Sequence, residues 1–362
     1  MSPRSDAGPA GGERQREMAM NRIPNHTPTP KPTDGRTDRR GMSRRDFLKR
    51  AAAAGTGLVV MAAGRRSFGA PSGGLPKRVL GRTGQKVTLL GLGTAPIGEG
   101  PPEAQEAARI FGEVLDRGVN YVDTARIYGN AEEALGLVIP KRRDGLFLVT
   151  KVSTHAAEAA QASLEQSLRV LKTDHLDLVH IHSIGGKKID RVLAADGVLP
   201  YLLKQKEAGK IRFIGVSGHN RPANFVRMIE TGQIDVVMCV MNYADRHIYG
   251  FEQQVLPECR KRNVGAVAMK AYVGIKGGFP NHRKGYVGCA TAPELLPQAL
   301  AYALDLEGVA VAAVGPYTLD QAIRNVEFAR AYKPLTLEQR ASLVARGKAM
   351  APSLGPRYGP VV

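Results

Sequence analysis

The sequence predicts an α/β fold, a (β/α)8 TIM barrel with an N-terminal hairpin cap and C-terminal helices, and three observations predict it. From Lys77 onward, short β-branched runs alternate with stretches of helical apolar period, the pattern of a parallel sheet with returning helices. The candidate strands number eight: Leu89–Ala95, Tyr121–Ala125, Leu146–Val152, Leu176–His182, Ile211–Ser217, Asp235–Val240, Val264–Lys270 and Val309–Val314. Polar or reactive residues close seven of them, Thr94, Asp123, Lys151, His182, Ser217, Asn242 and Lys270. Their spacing of about 30 residues suits a strand plus a returning helix, and barrels of this kind build active sites at the carboxyl ends of their strands.

Each element has a local reason. Between the strands, Ala156–Leu171 carries Ala160, Leu164, Leu168 and Leu171 at three- and four-residue spacing, which turns one face to the sheet. Ahead of the first strand, Arg78–Val87 reads as a hairpin turning at glycine and is expected to cap the barrel floor. Beyond the eighth, Thr318–Phe328 and Thr336–Gly347 are expected helices. The Pro/Gly-rich segment 351–362 is expected to be a flexible tail. A doubly wound dinucleotide fold is disfavoured, since Gly91-Leu92-Gly93-Thr94-Ala95-Pro96 ends in proline where the phosphate fingerprint needs glycine.

The segment before the barrel has a different character. Of the formal net charge of +18 over 362 residues, the first 70 residues supply +8, with 14 basic against 6 acidic side chains. The remaining excess is diffuse, without a basic run or aromatic ladder, and no nucleic-acid partner is expected. Residues 1–41 are polar and turn-rich and are expected to be a disordered leader. Residues 42–70 read as an export signal: Ser43-Arg44-Arg45-Asp46-Phe47-Leu48-Lys49 precedes a mild apolar run from Ala51 to Ala63, too short to span a bilayer. This stretch resembles the twin-arginine signal. The resemblance implies recognition by the twin-arginine translocation machinery, a periplasmic or exported location, and a mature start near Ala70. Met42, directly before the motif, is the expected translation start. Cys239, Cys259 and Cys289 form no metal or disulfide pattern and are expected to be buried thiols.

Over residues 77–345 the chain resembles the aldo/keto reductase family. The stretches that carry the resemblance are Leu80-Gly81-Arg82-Thr83-Gly84, Leu90-Gly91-Leu92-Gly93-Thr94, Asn120-Tyr121-Val122-Asp123-Thr124-Ala125 followed by Tyr128-Gly129, Val149-Thr150-Lys151, and Asp174 through His182. Gly215-Val216-Ser217, then Gly315 and Asn325, follow in order. The resemblance implies a barrel of residues 75–350 that reduces an aldehyde or ketone carbonyl with NADP, NAD being possible, and a catalytic tetrad of Asp123, Tyr128, Lys151 and His182. Hydride delivery to a carbonyl leaves an alkoxide that must receive a proton. Tyrosine is a weak acid, so an ammonium beside it is expected to acidify the phenol, and a carboxylate to anchor that ammonium. Tyr128 is thus the expected general acid, Lys151 and Asp123 its tuners, and His182 the donor that orients the substrate oxygen.

By the same resemblance Thr94, Asp123, Ser217, Gly218, Met238, Gly315, Gln321 and Asn325 fall at cofactor-binding positions. Several depart from the common pattern. Gly218 stands where many members have Asn, Met238 where a carboxamide-binding Gln is usual, and Met241 where a Tyr stacks, with Asn220 or Asn242 as substitutes. Gly315-Pro316 replaces a phosphate-binding Lys-Ser pair and Gln321 a frequent arginine, with Arg324 one turn on. These departures motivate an alternative, an exported non-catalytic barrel acting as a binding or accessory protein. A second alternative is a metal-dependent hydrolase or isomerase built on His180, His182 and the mouth histidines His155, His219 and His247. His180 is read as a core histidine and no metal is expected.

Overall fold

The computed structural model describes residues 74–274 and 288–362. The expected leader and export signal lie outside the described residues. The strands are β1 (Lys77–Val79), β2 (Lys86–Thr88), β3 (Leu90–Gly93), β4 (Tyr121–Asp123), β5 (Phe147–Val152), β6 (Leu176–Ile181), β7 (Ile211–Gly218), β8 (Val236–Val240), β9 (Gly265–Met269) and β10 (Val309–Val314). β3 to β10 run parallel in sequence order, and β10 pairs back onto β3 to close an eight-stranded barrel. All eight expected strands are present, shortened mostly at their ends. Ala95, expected to end the first, instead opens a helical turn with Pro96 at its start, where the fixed proline φ suits a helix and not a strand.

β1 and β2 form the expected antiparallel hairpin. It seats on the amino end of the barrel: Leu80 is fully buried against Gly265, the first residue of β9, and the Arg82 amide donates to Asn263 O at 2.6 Å. Arg82 also pairs with Asp235 at 3.3 Å, just before β8. The floor is therefore closed by side chains, and chemistry is left to the other end.

Helices cover the outside. Ala157–Leu171 turns Ala160, Leu164 and Leu171 inward, as the spacing predicts. Leu319–Arg330 is capped by the Thr318 hydroxyl, and Leu337–Leu354 by a reciprocal capping box of Thr336 and Gln339. The tail departs from expectation. The last helix runs to Leu354, through Pro352 in its final turn, and the residues after it are held to the body. Arg357 Nη2 donates to Asp245 Oδ2 at 2.8 Å and the Tyr358 amide to Tyr249 Oη at 2.7 Å. Local composition suggested mobility, whereas two anchors more than 100 positions away hold it.

Glycine matters where backbone meets a ring. His180 of β6 points at Gly215 of β7, where a β-carbon would overlap the imidazole and stand 2.7 Å from Val236 O. His180 is fully buried, in keeping with a core histidine. Gly215→Ala is expected to lower stability by about 1–3 kcal/mol, the usual range for forcing a methyl into a packed core. Urea denaturation checks it, and an unchanged midpoint would refute that packing.

Candidate active site

At the carboxyl ends of β3 to β10 lies a cavity of about 1080 Å3. Three tetrad candidates stand at consecutive strand ends: Asp123 closes β4, Lys151 lies near the end of β5, and His182 follows β6. Tyr128 reaches in from the loop after β4. That loop is pressed close to the turn after β3, because Gly129 adopts φ 52° with its Cα against the Gly98 carbonyl, where no larger residue fits. Glu132, almost fully buried, holds the same loop down. It accepts from Arg126 Nη1 and from Thr150 Oγ1, each at 2.7 Å, and Thr150 is the neighbour of Lys151. Nothing in the local sequence marked Glu132, whose partners come from two separate segments.

Lys151 Nζ donates to Asp123 Oδ2 at 2.6 Å and to Thr124 O at 2.8 Å. It also lies 4.7 Å from the centre of the Tyr128 ring. The Tyr128 and His182 rings meet edge to face at 5.9 Å. The four side chains are thus one contiguous group. Burial works against the Lys151 ammonium, but Asp123 and then Tyr128 outweigh it and hold its pKa above the usual lysine value. Burial also raises the Asp123 carboxyl, with Lys151 opposing.

The phenol behaves otherwise than expected. Burial pushes Tyr128 above the ordinary tyrosine pKa, and the opposing pull of Lys151 does not overcome it. An ammonium alone would acidify the phenol, but here it acts in a site that also removes water. His182 is pushed down to about 3, by burial first and then by Lys151, Lys187 and Lys270. The imidazole is therefore neutral at physiological pH, with Ser153 Oγ 3.2 Å from Nδ1.

Of the cofactor candidates, Thr94, Asp123, Met238, Gly315, Gln321 and Asn325 line the cavity, as do Asn220 and Arg324. Ser217 and Gly218 close β7 outside that lining. Gly218 packs close to Phe225 and Ile184, and Ser217 Oγ is buried without a hydrogen-bond partner among the described residues. Asp123 Oδ1 is likewise unpartnered. Asn325 Oδ1 accepts from Tyr272 Oη at 2.9 Å, and Gln321 Oε1 accepts from the Tyr317 amide at 2.9 Å. Asn242 is no substitute clamp: its oxygen accepts from Ala244 N and Asp245 N, and its amide donates to Asp245 Oδ2 and Lys270 O. Tyr358, in the segment expected to be mobile, is a wall of the cavity.

Cys239 and Cys259 are buried, but Cys289 is only partly so and lines the cavity, so the expectation of three buried thiols holds for two. Among the described residues, no cluster of three His, Cys, Asp or Glu side chains could hold a metal ion, and no helix is long and apolar enough to cross a membrane.

A closed parallel barrel with these groups at its mouth defines the class, a (β/α)8 barrel with its candidate site at the carboxyl ends of the strands. The chain belongs to the aldo/keto reductase family, whose sequence profile matches residues 89–284. Over 210 residues it is 29% identical to L-galactose dehydrogenase of Arabidopsis thaliana, covering 53% of this chain and 63%, under two thirds, of that relative. The uncharacterized oxidoreductase YqkF of Bacillus subtilis (strain 168) is 26% identical over 309 residues, 75% of this chain and 96% of the relative. Among solved structures, the holo form of aldo-keto reductase AKR11C1 from Bacillus halodurans superposes with a TM-score of 0.62 at 27% identity, over 75% of this chain and 96% of that one.

Proposed function

We propose that the protein reduces an aldehyde or ketone carbonyl to an alcohol with a nicotinamide cofactor, with Tyr128 as the proton donor. The observation that carries this reading is the Lys151 ammonium, locked 2.6 Å from Asp123 and lying against the ring of Tyr128, which lines the cavity together with Asp123 and His182. The cavity volume is in the range of cofactor and ligand sites. The buried, unpartnered Asp123 Oδ1, on a residue of the cavity wall, is a polar atom that a bound carboxamide would satisfy. A nicotinamide held there supplies the hydride.

The chain's own residues do the rest. In the tautomer this role requires, neutral His182 accepts from Ser153 Oγ at Nδ1 and donates its Nε2 proton in a hydrogen bond to the carbonyl oxygen, which fixes the substrate. Burial keeps Tyr128 protonated until the oxygen gains charge, and the phenol then gives up its proton. The phenolate left behind is held by Lys151, whose charge Asp123 secures. Lys151 thus acts on the developing phenolate more than on the resting phenol, as expected of preorganised charge.

The pKa directions set the pH behaviour. His182 titrates near 3, so kcat for reduction is expected to be free of a histidine transition between pH 5 and 8. Tyr128 is raised, so the rate is expected to fall only once the phenol ionises, above the ordinary tyrosine value near 10. A kcat profile from pH 5 to 11 checks both, and an inflection near 6.5 would remove the neutral-histidine role.

NADP is the favoured cofactor, on the family's habit and the place of Arg324 in the cavity wall. Fluorescence titration with NADPH and NADH tests this. The twin-arginine motif at Ser43–Lys49 supports export of the folded protein, in which case cofactor is loaded before transport and stays bound. Periplasmic fractions lacking the protein, or periplasmic protein without cofactor, would reject these two points in turn.

A further inference from the structure

We infer that Ser153 is a positioning residue: its hydroxyl gives its hydrogen to Nδ1 of His182 and so fixes the imidazole as the tautomer that carries its one proton on Nε2, for use in the cavity. This deepens the reductase reading and rests on it for what Nε2 meets there.

Ser153 is the first residue past β5 and stands two positions beyond Lys151, so the alternation that turns Lys151 toward the mouth turns Ser153 there as well. Its Oγ lies 3.2 Å from His182 Nδ1. Further contacts make that meeting a fixed one. The His182 amide donates to Val152 O at 2.9 Å, which ties the backbone of one residue to the neighbour of the other. Lys187, after the turn that follows β6, reaches back and donates from Nζ to Ser153 O at 2.9 Å. One residue on, the Lys188 amide donates to His155 Nε2 at 3.2 Å. The turn that carries Lys187 is itself held, for Ser183 takes φ 56° and Asn224 Nδ2 donates to Ile184 O at 3.1 Å. The ends of β5 and β6 are thus stitched together on both sides of the ring, and the Ser153 hydroxyl stays beside Nδ1.

A neutral imidazole has one nitrogen that donates and one that accepts. His182 is held neutral by its burial and by the ammonium groups of Lys151 on β5, Lys187 after β6 and Lys270 after β9, all of which oppose a second proton. Which nitrogen keeps the single proton is set by the partner of the other. Ser153 is exposed, so water can donate to its oxygen while its own hydrogen goes to Nδ1. The reverse arrangement, with Nδ1 donating to Ser153, would turn a bare Nε2 lone pair toward a carbonyl oxygen and set two acceptors against each other.

The primary test needs no turnover. The full chain, isotopically labelled at the histidine ring nitrogens, is read by NMR at neutral pH as wild type, Ser153→Ala and Ser153→Thr, with His182→Asn to assign the signal. Wild type is expected to show His182 protonated on Nε2 with Nδ1 bare and hydrogen-bonded. Alanine should mix the two tautomers, and threonine, which keeps a hydroxyl, should restore the wild-type pattern. In parallel, kcat/KM for NADPH-dependent reduction of benzaldehyde should fall about three- to tenfold in Ser153→Ala, the size of one neutral hydrogen bond. The fall should lie in kcat more than in KM, because charge grows on the oxygen only as hydride arrives, and threonine should recover it. A purely structural role would not move a tautomer. Wild-type His182 protonated on Nδ1, an alanine variant unchanged in tautomer, an alanine variant unchanged in kcat where wild type turns over, or a loss that threonine fails to rescue overturns the inference. Wild type whose Nε2 tautomer depends on Ser153 but which oxidises no NADPH with any aldehyde would refute the reductase reading and leave the placement of Ser153 standing.

Discussion

Tyr128→Phe is expected to lower kcat for NADPH-dependent carbonyl reduction by roughly 10²–10⁴-fold, the range that a positioned general acid supplies, while NADPH affinity stays within about twofold. Phenylalanine keeps the ring that packs against His182 at 5.9 Å and lies beside the Lys151 ammonium at 4.7 Å. It removes only the hydroxyl. The change therefore isolates the proton from the packing, and a KM close to wild type should accompany the fall in kcat. Following NADPH oxidation with a panel of aldehydes and quinones reads this directly. Equal rates for the two proteins would remove the acid role of Tyr128 and leave the binding-protein alternative in its place.

The second large effect is on stability. Asp123→Ala would leave the Lys151 ammonium, 2% exposed, without its carboxylate. Breaking one side of a buried pair typically costs about 3–5 kcal/mol, since the remaining charge keeps its desolvation penalty. The double variant Asp123→Ala, Lys151→Met removes both charges and should recover a large part of that loss. Guanidinium denaturation of the two single variants and the double variant completes the cycle. Additive losses would mean that the two groups are held independently of one another, which their 2.6 Å contact forbids.

The frame of this site was legible in the sequence because barrel periodicity is local. Each strand announces itself by a β-branched run, each helix by its apolar spacing, and the polar residue at the strand end is the one the mouth uses. Asp123, Lys151 and His182 could be placed by that logic, and Tyr128 by its motif. What escaped depends on contacts distant in sequence. Glu132 matters through Arg126 and Thr150, and Arg357 through Asp245, pairings that no local pattern encodes. The tail's prolines and glycines look like those of any loose end. The direction of the Tyr128 shift was also out of reach, because composition shows which charges are neighbours but not how much water is excluded around them.

The seam of the cylinder bears on how the chain reaches its native state. Leu90 pairs with Ala312 and Leu92 with Val314, partners more than two hundred positions apart. Hairpin-like zipping cannot make that join, and the entropy of closing so long a loop must be met before the joint yields any stabilisation. Refolding from denaturant should accordingly be slow, with the last strand's arrival as its late event.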